Sequence, residues 1–520
     1  MTDDASASNA RTRRPWLPLA LAAGLVGLVA YSAWLRYRFL SSSPFPLGID
    51  GYFYPIQLRS LLDTGGLYYP SSPLALYLMA PLAWLTDPIA GARLGAAIGG
   101  ALIALPAYGV GVRLGGRRAA GLVATAIATG SAGSFYLSVE FVKNGLGVTF
   151  GLTFVWLALR ALETPTRRRA AAAAAALAAA FLTHKMGAAL AVALVGPCAL
   201  VSARAHGWTA RITRRHVVVG IGATVGALAA LGALFPERFV AARDLHLFTE
   251  LFSADAHWDA PAMWLRGGRF VLTMGHEALA GGLTALVALA LLAWRWRHLE
   301  APRRALALTV IAFGLGLALP WLAVDDPEGL GFRLRLVAYV PLALNAALVI
   351  GLVADLVTGW RPQVVRGRGV ALAAVAAVAI AWTLSRPAER REGVVFPDAP
   401  MIAAIGAATA YLPPDAIVVV SERFIGFMAT YYTEHRVRLR PEVVPVERRW
   451  RLITGNFIAR HRGLDDALEA ARAEPTLTPP RGLHPRHPSG LVLVPEATFT
   501  WVLDRVPEAT AERLRAWHTI

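Results

Sequence analysis

The sequence predicts a mainly α protein: a polytopic transmembrane helical bundle of about eleven helices, followed by a small extracytoplasmic α/β domain. Three observations predict it. The 520-residue chain is 56% hydrophobic and 16% charged, whereas soluble domains carry roughly 25% charged residues. Several apolar runs approach the ~20 residues that a helix needs to cross a bilayer. After residue 385 the pattern changes, with "AIVVV" and "GLVLVP" reading as buried strands and "ERFIGFMATYYT", "GLDDALEAARAE" and "EATAERLRAWH" as helices. Strands and helices in alternation indicate an α/β unit. Residues 1–385 are therefore read as the membrane domain and 386–520 as the second domain.

The first apolar run, Trp16 to Leu35, follows Arg11, Arg13 and Arg14 and lacks a small-residue cleavage site, so it reads as an uncleaved helix. Further crossings are expected at 89–112, 119–138, 144–161, 170–183, 186–202, 217–235, 277–294, 305–323, 336–357 and 369–385. Arginine sets the topology. The N-terminus, Arg113/Arg117/Arg118, Arg167–Arg169, Arg204–Arg215, Arg295–Arg304 and Arg361–Arg368 fall on the cytoplasmic side. One crossing over 170–202 would separate two of these clusters, so two short crossings with a turn at "LTHKMG" are expected. The tail then lies outside a bacterial-type plasma membrane. Arg36 and Arg38, at the outer end of the first helix, break the pattern. The formal charge of +17 is thereby accounted for without a nucleic-acid partner. Cys198 is the one cysteine, so no intrachain disulfide forms and the compartment cannot be read from cysteine.

The first outer loop, 36–88, contains "YFYPIQLRSLLDTGG", an interfacial helix with Tyr52 and Tyr54 at headgroup level. "YYPSSPLALYLMAPLAWL" follows and is short for a crossing. Asp50, Glu140, Lys143, His184, Lys185, Arg333 and Arg335 all fall at the outer boundary, from four separate segments. Charges at this depth are costly and are functional candidates. Carboxylates and cations sharing an outward cavity suit group transfer: a carboxylate accepts a proton from a hydroxyl, and cations hold a departing phosphate. Lysine usage sharpens this, since 51 basic residues include only Lys143 and Lys185 as lysines, and arginine does not replace a compact ammonium.

Each residue has a plainer reading. Asp50 before Gly51 fits a turn, Glu140 and Lys143 fit an exposed pair at helical spacing, and Lys185 fits snorkelling to the headgroups. Arg333 and Arg335 fit interfacial anchors, and His184 fits packing at a helix turn. In the tail, Ser421, Glu422 and Arg423 follow the strand "AIVVV" at its carboxyl end, where open α/β sheets bind ligands. They are candidates for acceptor or glycan contact, with helix capping the plainer role. "GVGVRLGG" lacks a preceding strand and is not a nucleotide cradle. There is no zinc-type cysteine set and no HExxH.

The order of features resembles the polytopic GT-C glycosyltransferases, the superfamily of protein mannosyltransferases, the aminoarabinose transferase of lipid A and oligosaccharyltransferase catalytic subunits. The resemblance runs through "GIDGYFYPIQLRSLLDTGGLYYPSSPLALYL", "AYGVG", "SFYLSVEFVKN" and "FLTHKMGAAL", covering about residues 15–200 and, more weakly, 305–350. It implies a polyprenyl-phosphate-linked sugar donor and transfer on the outer face to a glycan, lipid or protein acceptor. It implies Asp50 as catalytic carboxylate, with Glu140 beside it, and Lys143, Lys185, Arg333 or Arg335 near the donor phosphate. Tyr52, Tyr54, Asn144 and His184 are the substrate-binding candidates. No cofactor is fixed, and a divalent metal is left open. No "WWDYG" occurs in the tail, and Asp50 is followed by glycine rather than a second acid, so the acceptor is not indicated. The alternatives are a non-catalytic component of envelope polysaccharide assembly or export and, less in keeping with charges gathered at the outer boundary, a transporter.

Overall fold

In a bilayer the backbone amides of an apolar segment have no partner but the segment itself, so such segments fold as helices. The computed structural model describes residues 16–207, 214–235, 238–239, 269–318, 335–360, 397–410, 412, 415–420, 423–433, 436–438, 446–474, 476–477 and 491–516. Its membrane part consists of α1 (Trp16–Leu40), the short α2 (Phe53–Thr64) and α3 (Leu74–Leu85), then α4 (Pro88–Ala101), α5 (Ala104–Gly115), α6 (Arg118–Gly130), α7 (Ala132–Val139) and α8 (Val142–Glu163). These are followed by α9 (Arg167–Thr183), α10 (Lys185–Ala205), α11 (Arg214–Leu234), α12 (Arg269–Arg295), α13 (Ala301–Ala318) and α14 (Tyr339–Trp360). Among the described residues, six spans are long and apolar enough to cross a membrane, and seven when α6 and α7 count as one bent span. Ten of the eleven expected crossings coincide with helices, and 369–385 lies outside the described residues.

The expected crossing at 119–138 is broken, with α6 and α7 meeting at 46°. A break strands carbonyls on one side and amides on the other, and both need partners. Arg36 supplies the first: its Nη2 donates to the Thr129 carbonyl at 3.1 Å, and its Nε and Nη2 reach Ser138 and Ser134 at 3.1 Å. Glu277, on α12, supplies the second, accepting from the amides of Ala132 at 2.5 Å and Gly133 at 3.1 Å. Arg36 is buried. It departs from the arginine topology because it belongs to this polar junction and not to a surface cluster.

Helices α9 and α10 meet at His184, which caps both. Ala170 and Ala173 of α9 line the same groove as Val195 and Ala199 of α10, so the pair folds back on itself as a hairpin. It packs on α8 at very close range: a Cβ on Gly187 would lie 2.2 Å from the Gly147 carbonyl.

The C-terminal part contains α15 (Ala399–Thr409), β1 (Ile417–Val420), α16 (Arg423–Tyr432), β2 (Arg436–Arg438), β3 (Arg449–Ile453), α17 (Gly455–Arg460), α18 (Leu464–Ala473), β4 (Val492–Pro495), α19 (Glu496–Leu503) and α20 (Glu508–Ala516). The sheet order is β2-β1-β3-β4, with β1 parallel to β2 and β3, and β4 antiparallel to β3. Alternation gives it two apolar faces. Val418, Val420, Leu452 and Leu493 share one cluster with Ile425, Phe427 and the membrane helices, whereas Ile453, Val492 and Val494 pack with Phe457, Leu468 and Phe499. The first face therefore docks the sheet unit onto the bundle.

Gly187→Val should force α8 and α10 apart and lower stability by about 1–3 kcal/mol, read as a reduced melting temperature in detergent. An unchanged melting temperature would mean the two helices do not touch there.

Candidate functional site

The loop between α1 and α2 is shaped by its glycines. Gly48 has φ +90°, a conformation that disfavours any side chain, and a Cβ on Gly51 would lie 2.3 Å from the Leu47 carbonyl. The amides of Gly51 and Phe53 bond to the carbonyls of Gly48 and Asp50 at 3.2 and 3.0 Å, closing two successive turns. Glu140, in the turn between α7 and α8, pins this loop from the other side. Its Oε2 accepts from the Ile49 amide at 2.6 Å and more weakly from the Asp50 amide at 3.4 Å. Its Oε1 is buried with no hydrogen-bond partner among the described residues. Burial first, and then the neighbouring Asp50 charge, push the Glu140 carboxyl up to about 7.

Held in this way, Asp50 points its carboxylate at Arg423, the first residue of α16. Arg423 Nε lies 3.1 Å from Oδ1 and Nη2 lies 3.5 Å from Oδ2. The partner therefore comes from the carboxyl end of β1, where a ligand contact was expected. Ser421 and Glu422 lie outside the described residues.

Around the pair, α16 is fastened to the first loop. Tyr52 and Tyr432 join their hydroxyls at 3.0 Å, Arg59 donates to the Tyr431 carbonyl at 3.0 Å, and Tyr69 meets Thr430 at 3.1 Å. Phe53, Tyr69 and Phe427 pack ring against ring. Tyr52 and Tyr54 are thus buried instead of sitting among headgroups, because α16 and α8 cover them. Tyr54 accepts from the Lys143 amide at 3.3 Å. Burial and then the Asp50 charge raise its phenol well above the ordinary value, so it stays protonated. Lys143 Nζ lies 2.5 Å from Ser71 Oγ and 4.7 Å from the Phe53 ring centre.

Asp50, Glu140, Tyr52, Tyr54 and Lys143 therefore meet in one cluster. Asn144 follows Lys143 on α8, and its Nδ2 is buried without a partner among the described residues. His184 accepts the Met186 amide at 3.3 Å, which caps α10, and Lys185 opens that helix. A Cβ on Gly147, one helical turn from Lys143, would lie 2.9 Å from His184 Cβ, so the hairpin turn sits beside this end of α8. Arg335 adjoins Leu336, whose carbonyl would lie 2.4 Å from a Cβ on Gly133. Its backbone is therefore at the opposite end of α7 from Glu140. Arg333 lies outside the described residues. Among the described residues no group of three or more potential metal ligands occurs.

Sequence reading named Arg423 for acceptor contact and did not anticipate its pairing with Asp50. It missed Arg59, Tyr69, Tyr431 and Tyr432. The tyrosine pair ending "FIGFMATYY" was the available signal for a contact surface.

No family model matches the chain, and no curated protein sequence matches it. Solved structures do. ArnT from Cupriavidus metallidurans in the apo state aligns over 92% of this chain and 99% of its own, at 14% identity and a TM-score of 0.54. The same protein bound to undecaprenyl phosphate aligns over 92% and 97%, at 14% identity and a TM-score of 0.51. The Archaeoglobus fulgidus oligosaccharyltransferase aligns over 79% and 61%, at 16% identity and a TM-score of 0.47. The fold of this chain is similar to that of ArnT.

Glu140 gives the site a pH signature. The folded protein holds its proton more tightly than the unfolded chain, whose value is near 4.5. Its contribution is complete below that pH and is lost as the pH rises through about 7, a change of roughly 3 kcal/mol. Glu140→Gln keeps an acceptor for Ile49 and should flatten this part of the stability profile. A mutant profile parallel to that of the wild type would assign the dependence elsewhere.

Proposed function

We propose that the chain is an integral membrane glycosyltransferase that moves a sugar from a polyprenyl-phosphate-linked donor to an acceptor on the outer face of the membrane. The observation that carries this reading is Asp50: a carboxylate held in a glycine-shaped loop at one end of an ArnT-like bundle and facing the Arg423 guanidinium. The undecaprenyl phosphate bound to ArnT supports the donor class. The arginine distribution supports the outer face. The 22-residue α8 separates Lys143 from Glu163 by about 30 Å, the thickness of a hydrocarbon core. At its far end Arg113 pairs with Glu163 at 3.0 Å, and nearby Arg117 pairs with Asp355 at 2.7 Å. One end of the bundle thus carries the arginine clusters and the other carries Asp50 and the sheet unit, as an N-terminus in the cytoplasm and a 386–520 domain outside would require.

In this mechanism the acceptor hydroxyl gives its proton to Asp50. Its oxygen bonds to the anomeric carbon, and the bond from that carbon to the phosphate oxygen breaks. The polyprenyl phosphate leaves with the electron pair, and Lys143 stabilises the added charge. Glu140 acts on the loop: it fixes the backbone of Ile49 and Asp50 and so the depth of the base. Lys185 and His184 lie at the hairpin turn that packs on α8 one helical turn from Lys143.

A protein purified in nanodiscs and supplied with polyprenyl-phosphate sugars should transfer the sugar, and Asp50→Asn should lower that rate by roughly 10²–10⁴-fold, the worth of a general base. The variant should remain folded and membrane-inserted. Wild-type turnover by folded Asp50→Asn would remove Asp50 from the chemistry. Unimpaired envelope polysaccharide assembly in cells carrying it would favour the non-catalytic role.

A further inference from the structure

Arg423 belongs to the C-terminal sheet unit, yet it faces the carboxylate of the membrane loop. The two partners are unequal. The Asp50 side chain is 11% exposed and the Arg423 side chain 51%. The carboxylate is fixed by Gly48, Gly51 and Glu140, whereas the guanidinium sits on a long stem with its centre 5.3 Å from the Phe427 ring. An arginine fork has several N–H donors. Nε and Nη2 face Asp50, and no bond from Nη1 is found among the described residues. This arginine can hold a second anion without first abandoning the carboxylate.

We propose that Arg423 is a shared cation, which neutralises Asp50 in the resting site and transfers its attraction to the donor phosphate during the reaction. The inference rests on the polyprenyl-phosphate reading above. Its logic is charge balance. A sugar linked to a polyprenyl phosphate is a phosphodiester with one negative charge, and the departing polyprenyl phosphate monoester approaches two. As the acceptor hydroxyl loses its proton, Asp50 goes from one negative charge to none. The two anions facing Arg423 therefore change in opposite directions, and their sum stays constant while the centre of negative charge moves from the carboxylate to the phosphate. A cation that holds both is bound more tightly to the phosphate as the bond breaks, which is stabilisation confined to the transition state. It also releases the base only when an anion has arrived to replace it. Because Arg423 is carried by α16, this exchange occurs only while that helix is docked through Tyr432, Tyr431 and Thr430.

The test is binding of undecaprenyl phosphate, against neutral undecaprenol, to the full-length protein in phosphatidylcholine nanodiscs. The wild type should prefer the phosphate. Arg423→Gln should weaken phosphate binding at least 10-fold and leave undecaprenol binding unchanged, while Arg423→Lys should retain part of the preference. Asp50→Asn removes the competing anion and should tighten phosphate binding several-fold with Arg423 present, but not in the Asp50→Asn/Arg423→Gln double variant. Tyr432→Phe removes one docking hydrogen bond, leaves those of Tyr431 and Thr430 in place and spares the guanidinium, so it should bind nearly as the wild type does. Wild-type phosphate affinity in Arg423→Gln overturns the inference, as does a gain from Asp50→Asn that survives without Arg423. So does a loss in Tyr432→Phe as large as that in Arg423→Gln, because the arginine would then act only through docking. A wild-type protein that binds phosphate and alcohol equally would overturn the donor reading itself, an outcome distinct from these.

Discussion

Asp50 and Arg423 are 373 residues apart in sequence and form an ion pair between a membrane loop and the helix that leaves the first strand of the C-terminal sheet. The rest of the arrangement at that end of the molecule follows from the need to keep this pair in register. A carboxylate that is nearly buried is costly unless it is paired and hydrogen-bonded. The loop presents it from a backbone that only glycine accommodates at Gly48, and Glu140 anchors the amides on either side of Ile49. On the other side, α16 is fixed by tyrosine and arginine contacts to α2 and by an apolar sheet face continuous with the bundle core. Neither half of the chain forms this site by itself.

A second constraint lies deeper. Glu140 can reach the loop because α7 is turned away from α6 at the break near Ser131. Within a bilayer such a break survives only if its exposed carbonyls and amides are satisfied. Arg36 and Glu277 do this from α1 and α12, so two helices outside the broken span determine where α7 ends. The buried arginine is thus tied to the site through geometry: it supports the bend, the bend directs α7, and α7 ends at the glutamate that pins the Asp50 loop.

Much of this was legible in the sequence for identifiable reasons. The membrane helices announce themselves by unbroken apolar length, and α2 by its run ending in "DTGG", where Gly65 adopts the left-handed cap. Asp50 stood out because a carboxylate flanked by glycines just beyond a membrane helix has few plain uses. Lys143 stood out because arginine had replaced nearly every other lysine. The break in 119–138 was not legible, since the residues on either side of Ser131 are small and apolar, and hydropathy reads them as one span. The burial of Tyr52 and Tyr54 was missed because amphipathic tyrosines beside a membrane suit the headgroup layer equally well, and what covers them lies hundreds of residues away. The pairing of Asp50 with Arg423 was hidden for the same reason: a strand end predicts that something binds there, but not that the partner is the chain's own loop.

In the proposed reaction the lipid phosphate is handled at the junction between the first loop and α16. The bundle offers a rival location, a groove of about 490 Å³ lined by Phe154, Leu162, Arg167 and Val195 at the other end of α8. Electron cryo-microscopy of the full-length protein in nanodiscs with undecaprenyl phosphate distinguishes the two directly. Phosphate density is expected within hydrogen-bonding distance of Arg423 and beside Asp50, with α16 docked on α2. Phosphate density in the Arg167 groove, or beside Asp50 with Arg423 turned away from it, would contradict this placement.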